Sequence, residues 1–132
     1  MKFDNYVFKD TIEINDKTLS VEFAPEAIAK NYYMLIDDLT KAEKDLTTKE
    51  QVMKYSNLIV RLMNMIFGIE NTAYIVDAYE NNMNGMIEVV TFYLATKIAP
   101  VMREASKAHE KRLKQQNRAM RRLSCKAWIH RW

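Results

Sequence analysis

The chain has 132 residues, enough for one domain with its own core, and 48% of them are apolar, an ordinary share for a globular protein. Only two Gly and two Pro occur against nine Met, which favours long continuous elements and excludes a phosphate-cradling glycine loop. The single cysteine, Cys125, excludes an intrachain disulfide, and the net charge of +3 hides a split between an acidic body (residues 1–102, net −5) and a basic arm (residues 103–132, net +8).

Met1-Lys2-Phe3-Asp4-Asn5 has no apolar run of the signal-peptide kind, so none is expected. Residues 12–23 alternate apolar and polar on both sides of a polar turn, the pattern of a β-hairpin. A turn at Asp16-Lys17 sets Ile14 opposite Leu19 and Ile12 opposite Val21, with all four on one face. Two strands alone are marginal, so that face must lie on helices or on another chain.

Pro25 and Glu26 suit the first turn of a helix, and Ile28, Tyr32, Leu35, Leu39, Ala42 and Leu46 make its apolar stripe. Asp37 and Asp38 fall on the opposite, solvated side near Lys41 and lack the shielding that acid–base chemistry needs. Thr47 and Glu50 have capping-box spacing for the next helix, which ends at Gly68. That helix has one narrow polar stripe (Lys54, Asn57, Arg61, Asn64) and is apolar elsewhere, so it is either central to the fold or in contact with another chain. Its Leu58–Phe67 stretch is too short and too interrupted to span a bilayer.

Asn71 is placed to cap a short helix from Thr72 to about Asn81, and residues 81–85 read as a turn. Ile87, Val90, Leu94, Ile98 and Val101 form the stripe of the next helix, which Pro100 should kink or stop. Beyond it, residues 103–123 have high helix propensity but a thin apolar face of Leu113, Met120 and Leu123. The expected fold is mainly α: a helical bundle with a short N-terminal β-hairpin and a basic C-terminal helical arm.

No catalytic constellation is visible. His109 and His130 both sit in the arm without a Cys or carboxylate at metal-ligand spacing, so enzyme chemistry is not expected. The arm clusters Arg118, Arg121 and Arg122 ahead of Trp128 and Trp132. Such a segment can be a solvated end, a contact with acidic protein surface including this chain's own body, or a nucleic-acid contact in which aromatics stack on bases.

Ile12-Glu13-Ile14-Asn15-Asp16-Lys17 is similar to the Ile-x-Ile-Asn-Gly-Lys opening of several tail assembly chaperones of long-tailed, siphovirus-type bacteriophages of Gram-positive hosts; Asp16 stands where Gly is usual. Phe67-Gly68-Ile69-Glu70-Asn71 followed by Tyr74-Ile75-Val76 resembles their Gly-centred break and short helix. Ile98-Ala99-Pro100 and Asn117-Arg118-Ala119-Met120-Arg121-Arg122 resemble their closing helix and tail. The resemblance implies a chaperone in the host cytoplasm, without a cofactor, that binds the tape measure protein while tail tube protein assembles around it. It also implies absence from the finished virion and, in many members, a longer frameshifted form.

The residues assigned to partner binding on this reading are Met53, Val60, Phe67, Tyr74 and Tyr79 in the body and Arg118, Arg121, Arg122 and Trp128 in the arm. Self-association is expected as well, because the apolar stripes are many for so short a chain and hairpin edges are open to pairing. No membrane contact is expected. The alternative is a small nucleic-acid-binding regulator that uses the arm.

Overall fold

The computed structural model describes residues 6–108 together with 110, 111, 114 and 115. One antiparallel hairpin, β1 (Phe8–Ile14) and β2 (Lys17–Phe23), precedes four helices: α1 (Pro25–Glu43), α2 (Lys49–Phe67), α3 (Ile69–Ala78) and α4 (Met83–Ala108). The protein is therefore mainly α with a short N-terminal hairpin.

The hairpin turns at Asn15-Asp16, one residue earlier than expected, and pairs Ile12 with Leu19 and Phe8 with Phe23. Both turn residues have positive φ, 50° and 65°. A two-residue turn with both centres left-handed follows the natural twist of the strands, and Asn and Asp tolerate that region where Lys does not. The register consequently moves by two residues, an even shift that keeps every side chain on its expected face. Leu19, Val21, Phe8 and Phe23 go into the core, and the Phe8 and Phe23 rings pack with centroids 5.1 Å apart.

Pro25 starts α1, whose buried side is Ala29, Tyr32, Leu35 and Leu39; Leu46 lies past its end and is exposed. The cap of α2 is Thr48 with Gln51, not Thr47 with Glu50. The Thr48 hydroxyl accepts from the Gln51 backbone N–H and the Gln51 side-chain Oε1 accepts from the Thr48 backbone N–H, both at 3.2 Å. Asp45 decides between these pairs, since its carboxylate accepts from the Thr47 hydroxyl and from the Gln51 amide, each at 2.7 Å. Those bonds favour the ionised form and hold the Asp45 carboxyl below its usual range.

Gly68, at φ 87°, ends α2, and α3 begins at the next residue. Asn71 is thus inside α3 and caps nothing. Its amide donates to the Ser20 carbonyl at 2.7 Å and to the Phe67 carbonyl at 3.0 Å, tying α3 to the hairpin. Asn82 caps α4 by accepting from the Gly85 N–H at 3.0 Å, so part of the expected 81–85 turn is already helix. A Cβ at Gly85 would run into that Asn82 side chain, which is why the smallest residue fits there.

Pro100 neither stops α4 nor separates an arm at residue 103. Leu94–Ile98 forms a wide π turn, and the helix continues through Ala108. The buried side is Met86, Val90, Leu94, Ile98, Met102 and Ala105. Four-residue steps over-rotate an α-helix by about 40° each, and the extra residue of a π turn takes back about 100°. The bulge therefore keeps the stripe on the core, with Ile87 and Val101 left at its half-buried edge. It also loosens the backbone just where the proline lacks a donor. By length and composition alone α4 is apolar enough to cross a membrane, although this stripe is spent on the core.

Leu62, Ile66, Ile59 and Met63 of α2 lie at the centre of the single core, with Leu35 of α1, Ile75 of α3 and Leu94 of α4 around them.

Candidate partner-binding surfaces

The circumference of α2 divides into sectors. With about 100° per residue, Tyr55, Ile59 and Leu62 share one side, Val60 and Asn64 lie about 150° away, and Lys54, Asn57 and Arg61 fall between them on the solvent side. Each apolar side of α2 borders a depression in the surface.

The first is a cleft lined by Tyr32, Ile36 and Leu39 of α1, Tyr55, Ile59 and Leu62 of α2, and Thr91, Leu94, Ala95 and Ala99 of α4. Its lining is apolar but for the Thr91 hydroxyl, which donates to the Ile87 carbonyl of its own helix at 2.6 Å, and the phenols of Tyr32 and Tyr55. Burial is the main cause that raises both phenols above their usual value, so the wall is uncharged at neutral pH. The volume, about 280 Å³, lies just under the range of small-molecule sites. On α4, Phe92 occupies the turn before Ala95 and Ala99 and is 70% exposed. The cleft thus has small residues on one wall, where another backbone can come close.

The second is a groove on the opposite side of α2, lined by Val60 and Asn64, by Ile69, Thr72, Ala73, Val76 and Asp77 of α3, by Glu80 in the turn that follows, and by Met83 at the start of α4. Ile69 is 77% exposed, the most exposed large apolar side chain among the described residues. The buried Thr72 hydroxyl has no hydrogen-bond partner among the described residues.

Of the side chains assigned to partners from the sequence, Val60 lines the groove, and Met53 is exposed two turns earlier on the same side of α2. Phe67 is a correction: it is buried, with its ring centroid 5.6 Å from that of Tyr93, and presents nothing to a partner. Tyr74 is half-buried and structural, donating to the Ile14 carbonyl at 3.3 Å while Lys17 sits over its ring. Tyr79 ends α3 and packs half-buried against the core. Arg118, Arg121, Arg122 and Trp128 lie outside the described residues, as do His109, His130 and Cys125.

The cleft residues Ile36, Ala95 and Ala99 were not singled out from the sequence. The available signal was a second apolar row on α4 beside its core stripe, Val89 and Phe92, both exposed. Among the described residues, no group of His, Cys, Asp or Glu is arranged to hold a metal ion.

Comparison with family models, with curated proteins and with solved structures finds no match to this chain.

Proposed function

We propose that this chain is a phage tail assembly chaperone. It holds an amphipathic helical segment of the tape measure protein in the cleft between α1, α2 and α4, keeping apolar helix surface out of water while tail tube protein assembles. The work is done in the host cytoplasm by contact alone and uses no cofactor. The observation that carries this reading is the cleft itself: an uncharged, apolar trough between helices, with Ala95 and Ala99 on one wall. A helix laid in such a groove anchors side chains at three- and four-residue steps, and small residues beneath it let the backbones approach. The sequence resemblance to tail assembly chaperones supplies the client class.

The test is binding of an amphipathic helical peptide from a candidate tape measure protein to the full chain and to Ala95→Trp, which fills the cleft from an exposed position. The variant should keep its helical circular dichroism and lose at least about tenfold in affinity, roughly 1.4 kcal/mol. Wild-type binding should hold between 0.1 and about 0.5 M salt, because apolar contact does not depend on screened charge. Equal binding by both proteins would place the client elsewhere. Absence of client capture, with tight nucleic-acid binding whose log Kd climbs steeply with log salt, would favour the nucleic-acid-binding regulator instead.

A further inference from the structure

We infer that the groove between α2, α3 and the start of α4 receives the basic C-terminal segment of a second copy of this chain. The floor of the groove is apolar, from Val60, Ile69, Val76 and Met83, and Asp77 and Glu80 stand on its α3 side. Among the described residues neither carboxylate is in an ion pair. No Lys or Arg occurs anywhere from Leu62 to Thr96, whereas Glu70, Asp77, Glu80 and Glu88 do. This stretch of the chain, which supplies most of the groove, therefore carries a net negative charge.

The complement is in the same sequence. After Glu110 the chain has no further acid, and Lys114, Arg118, Arg121, Arg122, Lys126 and Arg131 are interleaved with Met120, Leu123, Trp128 and Ile129. Basic groups can meet Asp77 and Glu80 while apolar ones cover Ile69 and Met83, which matches the groove in both charge and polarity.

Reach decides which copy supplies the arginine cluster. Helix α4 starts at the groove with Met83 and leads away, so that its helical rise alone puts Ala108 about 37 Å from Met83. The backbone is still helical at Lys114 and Gln115. From Gln115 to Arg122 even a fully extended chain covers no more than about 25 Å. The arginine cluster falls short of its own groove and meets that of another copy. The contact is head-to-tail, groove of one chain to arm of the next, so it forms a ring if the rotation closes and an open array if it does not.

The experiment is sedimentation of the full chain at several concentrations, alone and as charge variants. Asp77→Lys with Glu80→Lys reverses the groove, and Arg118→Glu, Arg121→Glu and Arg122→Glu reverse the arm. The wild type should associate at micromolar concentration and dissociate on going from 0.05 to about 0.5 M salt. Each variant alone should associate at least about tenfold more weakly, through like charges brought together. An equimolar mixture should recover association, because each chain then meets an opposite charge on the other, and one chain bearing both sets should recover it too. A wild type that stays monomeric at all concentrations, a variant that associates like the wild type, or a mixture that fails to recover would each overturn the assignment. Circular dichroism shows whether the variants are folded, and peptide binding to the α1–α2–α4 cleft, on the far side of α2, stays at the wild-type level in the Asp77→Lys, Glu80→Lys variant.

Discussion

Leu62 and Ile66 are one turn apart on α2, and both are almost fully buried, 1% and 0% exposed. They differ in what lies beside them: Leu62 lines the cleft against α1 and α4, and Ile66 lines neither that cleft nor the groove. Substitution by Ala removes the same three carbons from either, a transfer loss of about 2.4 kcal/mol at about 0.8 kcal/mol per methylene. A closed site adds a cavity cost, which brings such changes to as much as about 5 kcal/mol. At Leu62 the space opens into the cleft, where the walls can move in and water can enter, so most of that addition is relieved. The expected losses are about 2.5 kcal/mol for Leu62→Ala and about 4 kcal/mol for Ile66→Ala. In urea, with a slope of about 2 kcal/mol/M for a domain of this size, the midpoint falls by about 1.2 M and about 2 M. A loss below about 0.5 kcal/mol at Leu62 would remove that side of α2 from the core. A loss at Leu62 equal to or above that at Ile66 would refute the open cleft.

Asp16→Gly should stabilise the hairpin by about 0.5–1 kcal/mol, since Gly takes the positive φ at little steric cost; destabilisation in urea would argue against the Asn15-Asp16 turn. Tyr93 donates to the Asp10 carboxylate at 2.8 Å, and burial, that bond and the Asp10 charge raise its phenol well above the usual value. Folding therefore favours the neutral phenol, and the stability it contributes is complete below about pH 10 and lost as pH rises from there toward the folded-state value. Tyr93→Phe should cost about 1 kcal/mol at pH 7 and flatten the decline above pH 10; an unchanged alkaline unfolding profile would contradict this linkage. Asn71→Ala removes the link to the Ser20 and Phe67 carbonyls and should cost about 1–2 kcal/mol, with faster amide exchange in β2 as the specific readout. Truncation after Gln115 should leave the urea midpoint unchanged, whereas truncation before Arg103 should lower it, because the second cut removes Ala105, which is fully buried beside Met102.

What could be read from the sequence was what local periodicity encodes. The α1 stripe, the Gly68 stop and the polar row on α2 follow from three- and four-residue spacing and from one residue able to take positive φ. The hairpin faces were legible while its register was not, because a shift of two residues leaves the alternation unchanged and only the turn geometry separates the choices. Thr47 with Glu50 and Thr48 with Gln51 fit the capping pattern equally, and Asp45, outside that pattern, selects the second. Asn71 looked like a cap because its partner Ser20 is 51 residues away in the sequence. The even four-residue spacing from Met86 to Met102 held the signal for a π turn, but a search at the α-helical period places Ile87 and Val101 on the stripe instead. The partner surfaces were the least legible part. Apolarity marked Met53, Val60 and Phe67 alike, and only tertiary packing separates the exposed Met53 from the buried Phe67.

The near-continuous apolar surface of α2 left two alternatives, core or contact, and its geometry accommodates both. One sector faces the core, and the sectors flanking it open onto a cleft and a groove that obey different physics. An uncharged cleft binds through apolar area, which salt leaves intact or strengthens, whereas an arm held by Asp77 and Glu80 weakens as the screening length falls from about 10 Å at 0.1 M to about 3 Å at 1 M salt. Because the two lie on opposite sides of α2, linking chains through the groove would consume none of the cleft. On the function proposed above, each link would instead place another open cleft near a client helix already held by its neighbour. Binding of the second cleft would then be governed by effective concentration and not by bulk concentration, so contacts weak singly would retain a long helical client collectively. Under that proposal a cleft of only about 280 Å³ would suffice, because retention would grow with the number of linked chains and would not require a deep pocket in any one of them.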